Sequence, residues 1–309
     1  MNCKNPSTWS GGGEPLARRG ALKAFTAGAV ASVVMACSQQ PPDRPPSPAA
    51  SARPSPTDRS TPSATPDDGE TRIESIRSRD EIVSNYQDAA PGEFGTEVDG
   101  TQLSLPDDCD AAALTLDACG GPNGSAVDQD LLLTLRDLEL PATLFINQRW
   151  AQANPRTMEE IVSEPLFEIQ NHGTKHLPLS VSGQSAYGIK GTTSVAEVYD
   201  EIMINQRFLQ SEYGLKCRYF RSGTAHLDEV SAQICKDLGL TPVNFTVNLD
   251  DGATLAAEAV ASRAAGLSRT DIALGHFNLP TSGTGAGLAQ ALPRLLAQQL
   301  RFTTLEESR

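Results

Sequence analysis

Two histidines four residues apart, His172 and His176, have the residue type and spacing to bind a metal ion. At this spacing two side chains share one face of a helical turn, with Cβ atoms roughly 5–6 Å apart. Two imidazoles placed in this way can ligate one ion at the ~2.0–2.1 Å distances typical of zinc. The same spacing also fits two solvated side chains on a helix, so the pair indicates a metal site only together with further groups.

Such groups stand at the ends of other apolar segments. Asp117, Arg221, Asp250 and His276 each fall at or just beyond the end of a predicted strand, as does His172. In a parallel β/α barrel these ends ring one face, where active sites are built. Strands often end at polar residues by chance, but a carboxylate, an arginine and imidazoles together are the side chains that metal-assisted hydrolysis needs.

The elements that must position these residues alternate along the chain. The predicted strands are 113–117, 142–147, 167–171, 217–221, 242–249, 271–277 and 301–305. The predicted helices are 127–138, 158–163, 195–213, 227–238, 254–265 and 287–300. Alternating strands and helices imply parallel pairing with right-handed crossovers. We therefore predict an α/β fold, a (β/α)7-type distorted barrel in a single domain, although an open doubly wound sheet would give the same alternation.

The first 37 residues are typical of a Tat-type lipoprotein signal peptide. Arg18 and Arg19 form a twin arginine, and the apolar run 24–36 that follows is too short to span a bilayer core, which needs ~20 residues. Ala36 before Cys37 resembles a lipobox, which would make Cys37 an acylated membrane anchor. An ordinary Tat signal cleaved elsewhere is the alternative. We expect an exported, membrane-anchored lipoprotein of the bacterial cell envelope, periplasmic or at the cell surface.

Residues 38–70 are rich in Pro, Ser, Ala and Thr, with almost no branched aliphatic side chains. Such a segment cannot bury enough apolar surface to offset its ordering entropy, so it is predicted to be a disordered tether. Residues 71–309 are long enough for one large core and are predicted to form the barrel domain.

The net charge restricts the classes of partner, and the cysteine content restricts the possible disulfides. The net charge of −13 argues against nucleic acid and makes polyanionic substrates less favoured than neutral or amine-bearing ones. Four cysteines fall in the folded part, which permits two disulfides. The pairs 109–119 and 217–235 would close the shortest loops, and buried thiols are the alternative.

The ordered motifs resemble those of the polysaccharide deacetylase (NodB-homology) family across roughly residues 110–306. Four motifs carry the resemblance and a fifth, acidic one is loosely matched: 115–122 (TLDACGGP), His172 with His176, 219–223 (YFRSG), 272–276 (IALGH), and Asp250 with Asp251. The family implies hydrolysis of N-acetyl groups through a metal-bound water, and it implies that His172 and His176 hold the ion.

The resemblance also implies roles for the remaining residues. Asp117 would be the general base and His276 the general acid that protonates the departing amine. Arg221 would neutralise and orient Asp117, and Asp250 or Asp251 would keep His276 protonated. The assignment is chemically consistent, because amide hydrolysis needs an activated water, oxyanion stabilisation and a proton for nitrogen.

One position departs from the family pattern. Ala118 stands where the family has a second aspartate, its third metal ligand, and a methyl group cannot coordinate. Asp117 could itself bind the ion, or a nearby residue such as Cys119 or an aspartate at 250–251 could substitute. In a third account two histidines and waters hold the ion, and catalysis is weak or absent. Because Asp117 and His276 are both present, we predict a working but altered metal site.

The sequence thus predicts a metal-dependent hydrolase that removes N-acetyl or O-acetyl groups from a polysaccharide, such as peptidoglycan or a chitin-like or xylan-like glycan. The predicted cofactor is a divalent metal ion, zinc in the first place, although the same ligands suit cobalt and nickel. The alternative is a catalytically inactive lipoprotein that binds glycan. The long loop 177–193 is predicted either to cover the metal, with backbone N–H groups near Tyr187 and Gly188 facing an oxyanion, or to be a surface excursion. His226 is predicted to be a surface histidine.

Overall fold

The structure is a computed structural model that describes residues 77–309. The predicted signal peptide (1–37), with its anchor Cys37, and the predicted tether (38–70) lie outside the described residues. The described part belongs to one compact unit, Glu70–Arg309. Within it, no helix combines the length and the apolar character needed to cross a bilayer.

The chain alternates strands and helices, as predicted. The strands are β1 Phe94–Gly95, β2 Ala112–Ala118, β3 Ala142–Ile146, β4 Phe167–Asn171, β5 Ser185–Ala186, β6 Ile189–Lys190, β7 Tyr219–Phe220, β8 Leu227–Asp228, β9 Thr241–Pro242, β10 Val247–Asn248, β11 Ile272–His276 and β12 Phe302–Thr303. The helices are α1 Arg79–Tyr86, α2 Gln129–Asp137, α3 Gln148–Ala153, α4 Pro155–Val162, α5 Val195–Tyr213, α6 Glu229–Asp237, α7 Ala257–Ala264 and α8 Thr284–Ala297.

The main sheet runs in the order β10-β11-β2-β3-β4-β7-β9, and β12 also pairs with β2. Every pair in this sheet is parallel. The sheet curls into a half-barrel with helices around it, which confirms the predicted α/β fold. The carboxyl ends of its strands therefore open on one common face.

The predicted strand 242–249 is wrong as a single element, because it divides into β9 and β10 at opposite edges of the sheet. Five peptide steps separate Pro242 from Val247, and they reach at most about 18 Å. The two edges must therefore approach each other. The buried Arg221 donates to the backbone carbonyls of Val243 (3.4 Å) and Asn244 (3.0 Å), in the segment that joins β9 to β10.

Side chains alternate across β2 between two apolar layers. Leu114, Leu116 and Ala118 belong to the large cluster that the helices cover. Ala113 faces the other way, into a smaller cluster inside the curled sheet. By this alternation Asp117 points to the inner side at the open end, while Ala118 is fully buried beneath the helices.

Helix α5 has the bounds that the sequence predicts, because a capping residue stands at each of its ends. The side chain of Ser194 accepts a hydrogen bond from the backbone N–H of Glu197, and Gly214 ends the helix with φ 71°. The helix packs on β4 and places Glu201 beneath the loop that follows this strand. A helix whose two ends are defined by capping residues thus supports the segment that carries the histidine pair.

The predicted disulfides 109–119 and 217–235 are wrong, since all four cysteines are free thiols. Cys217 and Cys235 are buried, and burial raises the pKa of Cys217 to about 12. The alternative of buried thiols holds for these two. Cys119 has a different environment, at the open end of the sheet.

Candidate active site

A cavity of about 600 Å³ opens at the carboxyl ends of the strands. This volume falls within the ~300–1,000 Å³ range of small-molecule sites. Asp117, Cys119, His176 and His276 all contribute to its lining. The structure therefore brings together chemically active residues from β2, from the loop after β4 and from β11.

The two histidines meet, but not on a helix as predicted. Residues 172–176 form an irregular loop after β4, and Gly173 (φ 76°) and His176 (φ 62°) have left-handed backbones that a helical turn excludes. The two imidazole rings lie 4.8 Å apart between centroids. His172 is 1% exposed, and its Nδ1–H donates to the carbonyl of Arg221 at 2.9 Å, which leaves Nε2 as the free nitrogen.

This histidine loop, residues 172–176, rests on buried polar side chains. The carboxylate of Glu201 accepts from the backbone N–H of Lys175 at 2.9 Å and of Leu177 at 3.1 Å. The side-chain amide of Asn147 donates to the carbonyls of His172 and Gly173. The sequence analysis did not identify Glu201 or Asn147 as supports of this loop. An acidic residue on the buried face of α5 was the signal that could have identified Glu201.

Cys119 completes a group of three possible metal donors. Its Sγ lies 3.7 Å from Nε2 of His172, and one donor atom from each of Cys119, His172 and His176 lies within 4.8 Å of the others. Tetrahedral zinc with one sulfur and two nitrogen ligands places its donors about 3.4–3.6 Å apart, from bond lengths of ~2.0–2.3 Å. A contraction of at most about 1.4 Å would close the group around an ion.

Electrostatics favour a thiolate at this position. Burial opposes a charged sulfur, but His176, His276 and His172 outweigh it and lower the pKa of the Cys119 thiol well below its usual range. The pKa of His172 is raised in turn: burial works against its charged form, and Asp117 and Cys119 overcome that effect. Metal ligation by cysteine requires the thiolate, so this setting suits an ion.

Asp117 is held by the arginine predicted to orient it. The guanidinium of Arg221 donates to Oδ1 of Asp117 at 2.8 Å and to Oγ1 of Thr115 at 2.9 Å, and it lies 4.2 Å from the ring centroid of Phe145. Burial lowers the pKa of Arg221 despite Asp117, but an arginine remains charged in this range. The second carboxylate oxygen, Oδ2, stays available and lies 3.5 Å from Nε2 of His172.

Asp250, rather than Asp251, is paired with His276. The Nδ1–H of His276 donates to Oδ1 of Asp250 at 2.9 Å, and its backbone N–H donates to Oδ2 at 2.9 Å. The hydroxyl of Thr284 donates to Oδ2 as well, at 2.7 Å. Asp251 instead forms an ion pair with Arg263 at the surface.

This pairing biases His276 towards its charged form. Burial alone would lower the pKa of His276, but Cys119 and Asp250 outweigh it and raise the pKa well above the ordinary value. Burial likewise works to raise the pKa of Asp250, and His276 and Thr284 overcome it, so that the pKa is lowered. Both directions favour a carboxylate that faces an imidazolium in the Asp250–His276 pair.

The rim of the cavity concentrates backbone strain. Six of the residues that line it have a left-handed backbone although none of them is glycine: His176, Tyr187, Thr224, Ala225, Asp251 and Ala253. Such residues cost of order 1–3 kcal/mol each and cluster at functional sites. The surrounding contacts must therefore hold the rim in this conformation.

The loop 177–193 forms a small antiparallel hairpin, β5–β6, at this rim. Tyr187 and Ile189 from the hairpin line the cavity. The predicted oxyanion role of the N–H groups near Tyr187 and Gly188 stays a prediction. His226, predicted to be a surface histidine, is half-buried and contacts the rings of Tyr187 and Phe94.

Known proteins resemble this chain in sequence and in fold. The polysaccharide deacetylase family model matches residues 105–243. This match supports a relationship between the chain and the polysaccharide deacetylase family. The matched range contains the donors Cys119, His172 and His176, whereas Asp250 and His276 lie beyond it.

Solved structures share the fold. A peptidoglycan N-acetylglucosamine deacetylase is 21% identical, covering 68% of this chain and 92% of its own, with a TM-score of 0.57. A family 4 carbohydrate esterase from Streptomyces lividans, in complex with acetate, is 24% identical, covering 63% and 92%, with a TM-score of 0.51. A family 4 pseudoenzyme from Bacillus anthracis is 21% identical, covering 66% and 67%, with a TM-score of 0.55. None of the curated proteins matches the chain.

An aspartate at position 118, which the resemblance to the deacetylase family would place there, is expected to destabilise the protein. Its side chain lies in the helix-covered layer, beside Leu116 and Ile146, so a carboxylate would be buried without a partner. We expect Ala118→Asp to lower the free energy of unfolding by about 3–5 kcal/mol. Urea denaturation measures the change, with Ala118→Ser as a control of similar size. An unchanged midpoint for Ala118→Asp would show that side chain 118 can reach the cavity.

Proposed function

We propose that this protein is a metal-dependent hydrolase that removes N-acetyl or O-acetyl groups from a polysaccharide. One observation carries the proposal: Asp117 and His276 line the same cavity as Cys119 and His176, which form a group of possible metal donors with His172. A nucleophile-activating base, a proton donor and a metal site in one cleft are the parts that acetyl hydrolysis requires.

Cys119, His172 and His176 would hold the ion, with zinc as the expected metal. When bound there, zinc supplies a Lewis acid for the acetyl oxygen and lowers the pKa of a coordinated water. Their donor spacing supports this assignment. Cys119 would take the place of the missing aspartate as third ligand, because it lies two residues beyond Asp117 and lines the same cavity.

Asp117 acts as the general base in this proposal. Arg221 occupies Oδ1 and balances the charge of the buried carboxylate, which leaves Oδ2 to accept a proton. A base fixed by one oxygen keeps its second oxygen in a constant direction, which favours proton transfer from a water beside the histidines.

His276 acts as the general acid that delivers a proton to the leaving nitrogen or oxygen. Asp250 orients Nδ1 and stabilises the charged imidazole, so Nε2 is the nitrogen that carries the transferable proton. Asp250 therefore works through His276 and is a positioning residue.

The cavity suits an uncharged glycan. Among the described residues that line it there is no lysine or arginine, whereas Asp117 and Asp251 are acidic. This lining supports peptidoglycan, chitin-like or xylan-like chains rather than acidic polysaccharides. An amine product would also be favoured beside these carboxylates.

The sequence of residues 1–70 supports a cellular setting for this reaction. We propose export through a twin-arginine signal, an acyl anchor on Cys37 and a tether that carries the domain away from the membrane. Envelope glycans would then lie within reach of the cavity.

The alternative is a catalytically inactive glycan-binding lipoprotein, and Ala118 is the feature that favours it, since the family's third ligand is absent at that position. Metal analysis combined with acetate release separates the two functions. The proposal expects one zinc per chain and acetate release from N-acetylglucosamine oligomers, peptidoglycan or acetylated xylan. Removal of the metal by a chelator should abolish release, and added zinc should restore it.

The matched variant is Asp117→Asn, which keeps the shape of the side chain. It is expected to fold and bind zinc but to lose about 10²–10⁴-fold in kcat. Full zinc occupancy without acetate release from any of these substrates would favour the binding protein.

A further inference from the structure

The hairpin β5–β6 presents an unusual apolar surface at the rim of the cavity. Tyr187 is 81% exposed and Ile189 is 38% exposed. The other large apolar side chains with comparable exposure among the described residues are Leu133 on α2 and Ile204 on α5. Tyr187 and Ile189 differ from these because both line the catalytic cavity.

A contact with a neighbouring ring holds the ring of Tyr187 in place. It meets the imidazole of His226 nearly perpendicularly, at 5.2 Å and 83° between centroids and planes. His226 in turn contacts Phe94, with 5.6 Å between ring centroids. The Nδ1–H of His226 donates to the carbonyl of Thr224 at 2.7 Å, which fixes the imidazole.

A chain segment outside the family match builds this support. Strand β1 pairs antiparallel with β8, with Phe94 opposite Asp228, and so brings Phe94 towards His226. Residues 105–243 match the family, whereas Phe94 precedes them. The same segment adds Thr96 to the cavity lining, and the carbonyl of Thr96 accepts from the side-chain amide of Asn244.

These features suit a sugar ring. A pyranose presents polarised C–H groups on its faces, and the negative face of an aromatic ring attracts them. Its hydroxyl groups point outwards, towards side chains such as Asn248, Asp251 and Thr96 that line the cavity. The lining favours a neutral ring, as argued above for the substrate.

We propose that Tyr187, braced by His226 and Phe94, is a stacking platform for the pyranose adjacent to the one that loses its acetyl group. The proposal rests on the proposed function for the identity of the ligand, a neutral glycan chain. It deepens that function, because the protein would then bind oligosaccharides more tightly than single sugars. A single sugar in the cavity leaves the platform empty, while a longer chain covers it.

The test compares full-length wild-type protein with Tyr187→Ala, Tyr187→Phe and Ile204→Ala. The probes are N-acetylglucosamine, its β-1,4-linked tetramer and acetylated xylotetraose. Binding is measured by titration calorimetry with Asp117→Asn added to every protein, so that the probes are not turned over. Tyr187→Ala is expected to weaken tetramer binding by about 5–13-fold, in the upper part of the range that aromatic contacts supply. Tyr187→Phe, which keeps the ring, should bind the tetramer within about twofold of wild type. Ile204→Ala removes an exposed apolar side chain on α5 and should bind like wild type.

Three results would overturn the platform. Tyr187→Ala could bind the tetramer as tightly as wild type, it could lose affinity for the monosaccharide by the same factor, or wild type could bind neither tetramer. Circular dichroism of Tyr187→Ala establishes that the variant is folded. Failure of the hydrolase is distinguishable, because tetramer binding that depends on Tyr187 without any acetate release would sustain the platform and reject the enzyme.

Discussion

Cys119→Asp is expected to retain zinc and acetate release, whereas Cys119→Ala loses both. The sulfur of Cys119 is 3.7 Å from Nε2 of His172, and no other described residue joins the two histidines in a donor group. Aspartate offers an oxygen ligand from a side chain of similar reach, while alanine offers none. Because loss of an outer-shell partner already costs ~10–100-fold in metal affinity, we expect loss of this ligand to cost at least about 100-fold.

Zinc content and competitive chelator titration measure the affinities, and cobalt substitution reports the ligand directly. A thiolate bound to cobalt gives a charge-transfer absorption in the near ultraviolet, which should be present in wild type and absent in Cys119→Asp. Cys109→Ala is the control, because Cys109 is a free, half-buried thiol outside the donor group. A cobalt spectrum without this absorption in wild type, or full zinc affinity in Cys119→Ala, would remove Cys119 from the site.

Much of the fold could be predicted because local signals and tertiary packing agree. Helix α5 has the predicted bounds since Ser194 and Gly214 end it, and β4 has the predicted bounds, Phe167–Asn171, with four of its five residues buried. The convergence of Asp117, Arg221 and His276 could also be predicted. Parallel strands place their carboxyl ends on one face whatever the intervening sequence.

The errors have a common physical origin in long-range contacts. The segment 242–249 is β-prone, yet the curling of the sheet divides it, and the buried Arg221 satisfies the backbone between the two halves. The histidine spacing suggests a helix, yet Glu201 and Asn147, both distant in sequence, hold the loop in an irregular form. Propensity carries no information about such partners.

The side of the sheet that side chain 118 faces could not be predicted from the sequence. Ala118 cannot coordinate a metal ion, but whether a ligand at this position would reach the cavity depends on where the strand ends. Strand β2 extends through Ala118, which places this residue under the helices and Cys119 at the mouth. A displacement of one residue in a strand end thus decides which side chain is available to a metal.

His276→Gln is expected to lower kcat by about 10²–10⁴-fold and to remove the alkaline limb of the pH profile. The general acid must carry a proton, so activity in wild type falls as the pH rises through the pKa of His276. Cys119 and Asp250 overcome the effect of burial and raise the pKa of His276. A zinc ion on Cys119 would balance the charge of its thiolate, so in the zinc-bound enzyme Asp250 is the group expected to keep this limb above the ordinary titration range of histidine. The measurement is kcat/KM for an N-acetylglucosamine oligomer between about pH 5 and 10, with zinc content followed at each pH.

Asp250→Asn isolates the electrostatic part of this effect. The asparagine keeps a hydrogen-bond acceptor for Nδ1 but removes the negative charge, so the imidazolium is less stabilised and the pKa of His276 must fall. The alkaline limb should move to lower pH while the activity well below it changes less. A limb that stays in place in Asp250→Asn, or that persists in His276→Gln, would assign the proton donor to another group. Zinc content that is equal in both variants and wild type ties the change to proton delivery, because neither His276 nor Asp250 belongs to the donor group around Cys119.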